Sequence, residues 1–431
     1  MTARLGGTRK EEKKMKILIS AYASEPGAGS EYGVGWMVPL TMAQKYPEHQ
    51  IYVLTRSRCR EKIEQTLKEL ALPNLHFLFY DIPKWMCIKN EMKTHWGEQI
   101  NYLLWQLKVR RFVRKQHEQI SFDIFHHLTF NQYRTPSPGY WLDIPCVVGP
   151  VGGAETIPQV LWQDLEPHTL KKERIRTKGG DLKLFRWFNT RRKNRKMILC
   201  SSAENLKRLK PYSADSRLEQ MPAIGFDVAD FPRTEQTDSS QGGFSMLYAG
   251  KALDWKGIYL YLKALKLGLT DKGLTDFTVR LVGIRFEEEQ KKVNGWIHSL
   301  GLEKQVELIP FIQRSELLKL EQNCSLSVYP AFRDSGSMSV LEACALGCPT
   351  ICFNAGGQDI FPDDILLKID VAESYDECVQ RFADKLYWAY HHRDELRQIG
   401  IQAQKWVTEN LTWKHKAEQM VGIYRKLGMR G

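Results

Sequence analysis

Residues 16–35 read Lys-Ile-Leu-Ile-Ser-Ala-Tyr-Ala-Ser-Glu-Pro-Gly-Ala-Gly-Ser-Glu-Tyr-Gly-Val-Gly. The apolar run Lys16–Ala23 lacks in–out alternation, the mark of a strand covered on both faces. Four glycines follow within nine residues, Gly27, Gly29, Gly33 and Gly35, and Gly33–Tyr46 continues with helical spacing. A buried strand, a glycine-rich loop and a helix form the opening unit of a doubly wound α/β sheet.

Reading outward, strands are expected at His49–Thr55, Leu75–Phe79, Phe122–His127 and Pro145–Val148. Helices are expected at Arg60–Leu70 and Glu91–Gln119. Upstream, Met1–Lys14 is polar and charged without an apolar centre, and residues 1–14 read as a disordered extension. The alternation breaks at Met221–Ala229 and in the polar loop Arg233–Gly243, then restarts. The second series comprises strands Phe244–Ala249, Phe277–Val282, Val306–Leu308, Leu326–Tyr329 and Thr350–Phe353. Its helices are Gly257–Leu269, Phe286–Leu300 and Ser339–Leu346. The expected fold is α/β, with two doubly wound Rossmann-like domains facing a central cleft, residues 15–222 and 223–405. Residues 406–431 form a helix returning toward the first domain. A length of 431 residues suits two domains.

Hydrophobic residues make up 43% of the chain and charged residues 26%, ordinary for a globular protein. No apolar run approaches the ~20 residues of a membrane-spanning helix. Nine unevenly spaced cysteines suit a reduced cytoplasmic protein. Cys344, Cys348 and Cys352 recur every fourth residue, but across a helix end, a turn and a strand. They should point apart as buried small side chains rather than hold a metal. Net charge is +14 over residues 1–200 and −2 over the rest, so the first half is built to meet something anionic.

Loops after strands are where a doubly wound sheet binds ligands. The first such loop, with Gly27, Gly29, Ser30 and Glu31, lets backbone approach a bound group and ends at a helix N-terminus. At the next candidate, His126-His127, adjacent strand residues face opposite ways, so one imidazole at most serves a given wall of the cleft. Gly152-Gly153 either admits a ligand closely or forms a plain turn. Gly250-Lys251 and Lys256-Gly257 flank a short loop before a helix, where two ammonium groups and helix amides could surround a diphosphate; two solvated lysines are the alternative. The most specific pattern is Asp334-Ser335-Gly336-Ser337-Met338-Ser339-Val340-Leu341-Glu342. There an acid and a small-residue loop precede a helix bearing a second acid.

Asp334 to Glu342, followed by Ala343, Gly347, Pro349 and Gly356-Gly357, resembles the signature of the retaining family 4 (GT-B) glycosyltransferases. Gly250-Lys251 and Lys256-Gly257 resemble that family's diphosphate site, and Gly27–Gly35 its first-strand glycine loop. His126-His127 lies where the family has its active-site histidine, with His127 favoured. Asn410-Leu411-Thr412-Trp413 is similar to the segment opening its closing helix. The resemblance implies a hexosyltransferase that retains anomeric configuration without a metal or other cofactor. Its substrate would be a UDP- or GDP-linked sugar. Lys251 and Lys256 would meet the diphosphate; Asp334, Ser335, Gly336, Ser337 and Met338 the sugar; Glu342 the ribose. His127 or His126, Lys256 and Asp334 would be catalytic, and the glycine loop would face a saccharide or lipid-linked acceptor in surface polysaccharide or glycolipid assembly. Asp334 replaces the family's Glu and Lys251 its Arg, which keeps charge but loses a bidentate fork.

The basic stretches Lys171–Lys196 and Leu103–Lys115, interleaved with Trp105, Leu182, Leu184, Phe185, Trp187 and Phe188, suit the interface of an anionic membrane at the cytoplasmic face. Nucleic-acid binding is the rival from another class, but these stretches match no recognition-helix motif and leave Asp334–Glu342 unexplained. A nucleotide-sugar epimerase or an inactive transferase subunit would share the fold.

Overall fold

The structure, a computed structural model, describes residues 14–88, 95–190, 196–213, 216–231 and 243–428. The extension expected at residues 1–14 lies outside these residues except for Lys14, as does the polar loop 233–243 except for Gly243.

The first domain carries strands β1 (Lys16–Ser20), β2 (Gln50–Thr55), β3 (Leu75–Phe79), β4 (Ile124–His127), β5 (Cys146–Val151), β6 (Lys196–Cys200) and β7 (Arg217–Gln220). Its helices are α1 (Ser30–Lys45), α2 (Arg60–Leu70), α3 (His95–Ile120), α4 (Pro167–Thr177), α5 (Gly180–Thr190) and α6 (Ala203–Leu209). The second domain carries β8 (Phe244–Ala249), β9 (Phe277–Val282), β10 (Val306–Ile309), β11 (Leu326–Tyr329), β12 (Thr350–Phe353) and β13 (Leu367–Ile369). Around it lie α7 (Ile258–Gly268), α8 (Glu287–Leu300), α9 (Arg314–Asn323), α10 (Met338–Ala345), α11 (Tyr375–His391) and α12 (Arg393–Asn410), and α13 (Trp413–Gly428) is the last described element.

Both sheets are parallel. Their orders are β3-β2-β1-β4-β5-β6-β7 and β10-β9-β8-β11-β12-β13. In each, the strand order reverses once, between β1 and β4 and between β8 and β11, which is where such sheets open a crevice at their carboxyl ends. The expected fold class is the observed one, two Rossmann-like domains. Three strands lie where the sequence suggests none. β6 follows directly on the basic stretch that masks it, β7 is a polar edge strand (Arg-Leu-Glu-Gln), and β13 is only three residues long.

Each sheet is sandwiched between two apolar clusters. Trp413, Met420 and Tyr424 of α13 join the cluster of β1 and α1, so this last helix packs on the first domain. In the other direction, Ile157, Leu161 and Leu165 of the first domain's β5–α4 connection are buried in the second domain's core. Cys344, Cys348 and Cys352 are buried; Cys348 Sγ faces Cys324 Sγ at 3.2 Å, across from the end of α9. Among the described residues no helix is long and apolar enough to cross a membrane.

Candidate active site

The four loops leaving the two switch points hold most of the residues singled out above. In the first domain, α1 rises tightly against the loop after β1: a Cβ on Gly35 would meet the Ala23 carbonyl oxygen at 1.9 Å. Ser30, the first residue of α1, has φ +54°, and Phe130, beyond β4, has φ +56°. Non-glycine residues in the left-handed region cost of order 1–3 kcal/mol each and cluster at functional sites. The two are joined, because the Phe130 N–H donates to Glu31 Oε2 at 3.1 Å. Glu31 is exposed over part of its surface, while the protein packed around its carboxyl desolvates that group and lifts it above the usual range.

In the second domain, the turn Asp254–Lys256 leads into α7 through Gly257, whose φ is +70°. A Cβ there would lie 2.1 Å from the Pro330 carbonyl oxygen, so only glycine lets this turn press on the loop after β11. The approach brings Lys256 Nζ to 2.6 Å from Asp334 Oδ2 and 2.7 Å from the Tyr329 hydroxyl. Tyr329, at the end of β11, also donates to Asp334 Oδ2, and the Gly336 N–H donates to Asp334 Oδ1 at 3.0 Å. Burial alone would raise the Asp334 carboxyl, but the Lys256 ammonium and these donors outweigh it and hold it below the ordinary aspartate value. The backbone is fixed too: Gly357 N–H donates to Asp334 O at 2.7 Å, and a Cβ on Gly356, at φ +62°, would meet that same oxygen at 2.4 Å.

Glu342 projects from α10 and takes a 2.7 Å hydrogen bond from Arg314 Nη2 at the start of α9. A cavity of about 250 Å³ separates them from the first domain, its walls including Gly27, Gly29, Ser30, Arg314, Met338 and Glu342. A smaller one, about 110 Å³, joins Ser30 and Glu31 to Gly336 and Met338. The glycine loop and the Asp334–Glu342 segment therefore face each other across the crevice.

The other singled-out residues divide. Lys251 is exposed and makes no side-chain bond with a described residue, and Gly250 continues the β8 ladder through its N–H to Val282 O at 2.9 Å. Ser335 turns to the first domain, its hydroxyl donating to Glu155 Oε2 at 2.8 Å. Ser337 Oγ is buried without a described partner. His126 commits both ring nitrogens, to the Tyr424 hydroxyl at 2.5 Å and the Gly149 carbonyl at 2.8 Å. His127 faces the other way; its Nε2 meets Tyr102 and Gln106 at 3.0 and 3.1 Å, and its Nδ1 has no described partner. Burial depresses both imidazoles, His126 to about 4 and His127 to about 3. Gly152 does make a close approach, but to protein: a Cβ there would lie 2.7 Å from Ser335 Cβ.

On the basic face, Leu103, Leu107, Leu184 and Trp187 are exposed, whereas Trp105, Leu182 and Phe185 are buried. Trp105 turns inward because its indole N–H donates to Tyr80 O at 2.9 Å. Phe188 lies outside the residues whose side chains are described. Lys108, Arg110, Arg111, Arg114 and Trp141 line a groove of about 480 Å³ beside Leu107.

Sequence reasoning missed Tyr329, Arg314, Glu155 and Arg333. Tyr329 could have been found as the residue that ends β11 five positions before Asp334, and Glu155 as the acid two positions after Gly152-Gly153; nothing local marks Arg314 or Arg333.

Residues 233–406 match the family described as Glycosyl transferases group 1. The D-inositol 3-phosphate glycosyltransferase of Arthrobacter sp. (strain FB24) is 25% identical over 168 residues, 38% of this chain and 40% of that relative. The chain thus spans well under half the length of the curated relative it matches. Sucrose-phosphate synthase from Thermosynechococcus elongatus superposes with a TM-score of 0.67 at 15% identity, covering 97% of this chain and all of that one. Anabaena Alr3699/HepE, solved in complex with UDP, superposes with a TM-score of 0.61 at 17% identity over 96% of this chain and all of its own. These likenesses establish the fold as the GT-B arrangement.

Proposed function

We propose that this protein is a glycosyltransferase that moves a hexose from a UDP- or GDP-linked donor to a saccharide or lipid-linked acceptor, with retention at the anomeric carbon and without a metal. The observation that carries the reading is the meeting of Lys256 and Asp334 at the switch point of the second sheet, opposite the glycine loop of the first. The family match over residues 233–406 and the UDP bound by the Anabaena neighbour support a nucleotide sugar as donor.

In this reading, the bond from the anomeric carbon to the diphosphate oxygen breaks, one to the acceptor oxygen forms, and the acceptor hydroxyl's proton passes to the departing diphosphate. Lys256 answers the negative charge growing on the leaving diphosphate, a role typically worth about 10²–10³ in rate when one preorganised donor is removed. Asp334, kept ionised by Lys256 and Tyr329, accepts from sugar hydroxyls. Glu342 accepts from the ribose, sharing its carboxylate with Arg314. The acceptor lies against Ser30 and Glu31. Exposed Leu103, Leu107, Leu184 and Trp187 among the basic residues of α3 and α5 support contact with an anionic membrane, at ~1 kcal/mol per basic residue near the surface. Sedimentation with phosphatidylserine vesicles tests it; equal binding to neutral vesicles would remove it.

The deciding experiment screens UDP- and GDP-hexoses by thermal shift, since a ligand that binds only the folded state raises its apparent stability. Acceptor-dependent release of UDP or GDP is then followed. A new nucleotide sugar formed without acceptor would mean an epimerase, a salt-sensitive shift with DNA and no nucleotide-sugar turnover would mean nucleic-acid binding, and nucleotide binding without turnover would mean an inactive subunit.

A further inference from the structure

Three consecutive residues after β11 are each held by a different side chain. Arg333 Nη1 lies 2.5 Å from Glu173 Oε2, Asp334 is held by Lys256, and the Ser335 hydroxyl donates to Glu155 Oε2 at 2.8 Å. Lys256 belongs to the same domain as Asp334, but both glutamates belong to the other one. Glu155 and Glu173 are fully buried, at 0% and 1% exposure.

A buried carboxylate costs several kcal/mol unless its lone pairs are filled, and both are filled from the first domain. Glu155 accepts from Gly153 N–H at 2.8 Å, Ser202 Oγ at 3.0 Å and Asn205 Nδ2 at 2.5 Å. Glu173 accepts from Ile157 N–H at 2.8 Å and Arg176 Nη1 at 3.3 Å. The carboxylates thus have first-domain donors of their own, and Ser335 and Arg333 tie the loop after β11 to them. The contact is close-fitting, since Gly152 leaves no space for a Cβ beside Ser335. It is also reinforced nearby: Asp164 Oδ2 accepts from the Tyr375 hydroxyl at 2.6 Å, and Asp254 Oδ2 from Glu166 N–H at 2.8 Å.

We propose that Glu155 and Glu173 are positioning residues that hold the two neighbours of Asp334 from the first domain's side, and so aim its carboxylate at Lys256 and the donor sugar. This rests on the reading of Asp334 and Lys256 as donor-site groups. Neither glutamate touches the substrate. Their effect is to make the donor site complete only when the first domain, which presents the acceptor, is in place.

The test uses the full chain with Ser335→Ala, Arg333→Ala and the double variant. These remove the second domain's partners and leave each glutamate its first-domain bonds, so the buried network is not emptied. Amide hydrogen exchange without ligand is expected to speed up at least tenfold across residues 333–338 in the double variant. Exchange in β1 and β4 should stay unchanged, and Arg333→Lys should recover part of the protection. Calorimetric titration with UDP-hexoses and GDP-hexoses should show at least tenfold weaker binding of whichever donor the wild type takes. Unchanged exchange across 333–338 overturns the proposal, as does faster exchange with undiminished donor binding. A wild type that binds no nucleotide sugar sinks the donor reading instead, and the exchange result then decides alone whether the glutamates hold this loop.

Discussion

Lys256 Nζ and Asp334 Oδ2 lie 2.6 Å apart although the residues are 78 positions apart in the chain. Each sits in the loop leaving one of the two adjacent strands, β8 and β11, at which the sheet order reverses. The pair is partly exposed, 19% for the lysine and 23% for the aspartate side chain, so a ligand entering the crevice can reach both.

Lys256→Ala should therefore lower turnover about 10²–10³-fold. Its melting temperature should stay close to wild type, because a partly solvated ion pair contributes only about 0–1 kcal/mol. Steady-state release of nucleotide diphosphate with a calorimetric scan checks both halves, and near-wild-type turnover removes Lys256 from the chemistry. Asp334→Asn keeps the shape but loses the charge, and should lower turnover by a similar factor.

Gly152→Ala probes the closed arrangement from the first domain's side. The new Cβ would have Ser335 Cβ at 2.7 Å and Oγ at 2.8 Å, and such overpacking typically costs 1–3 kcal/mol, on the order of a methyl forced into a filled core. Because Gly152 has no left-handed φ, the penalty is contact with the second domain alone, and it can be relieved by opening the crevice. Small-angle scattering should show a larger radius of gyration than wild type, with weaker nucleotide binding. An unchanged scattering curve would mean that the loop yields locally.

Much of this architecture was legible because parallel strands buried on both faces are continuous apolar runs. Phe244–Ala249, Phe277–Val282, Leu326–Tyr329 and Thr350–Phe353 stand between the same residues in sequence and structure. β7 was not legible because an edge strand needs no apolar face. Lys256 and Asp334 could be singled out because loop chemistry after a strand is a local pattern. What could not be read is which side chains these loops meet. Ser335 looks like a ligand-binding residue in its own segment, yet its partner Glu155 is 180 positions away. The surroundings of His126 and His127 come from distant helices, α13 supplying Tyr424 to one and α3 supplying Tyr102 to the other.

Arg314→Ala should separate binding from chemistry. Arg314 bonds Glu342 at 2.7 Å and lines the cavity on the proposed ribose side, away from Lys256. Removing it frees Glu342, so KM for the donor should rise roughly tenfold while kcat stays within about threefold, the pattern of lost uniform binding. A fall in kcat with KM unchanged would instead put Arg314 at the reacting centre.

Glu321, on the same helix as Arg314, makes the fold's stability depend on pH. It is buried, accepts from Ser327 Oγ at 3.3 Å, and its carboxyl is pushed up to about 8, first by burial and then by the Glu342 charge. In the unfolded chain it would titrate near the ordinary value of ~4.3. Between those limits the native state holds a proton that the unfolded chain has shed. Its contribution is therefore fully present below about pH 4 and is lost as pH rises through about 8, a change on the order of a few kcal/mol. Glu321→Gln keeps a neutral hydrogen-bonding group of the same shape and removes the titration. Urea unfolding at pH 6 and pH 8.5 should show the wild type losing more stability than the variant across that interval, so that the variant gains relative to wild type at the higher pH. Parallel loss in the two proteins would mean that Glu321 is already ionised in the native core.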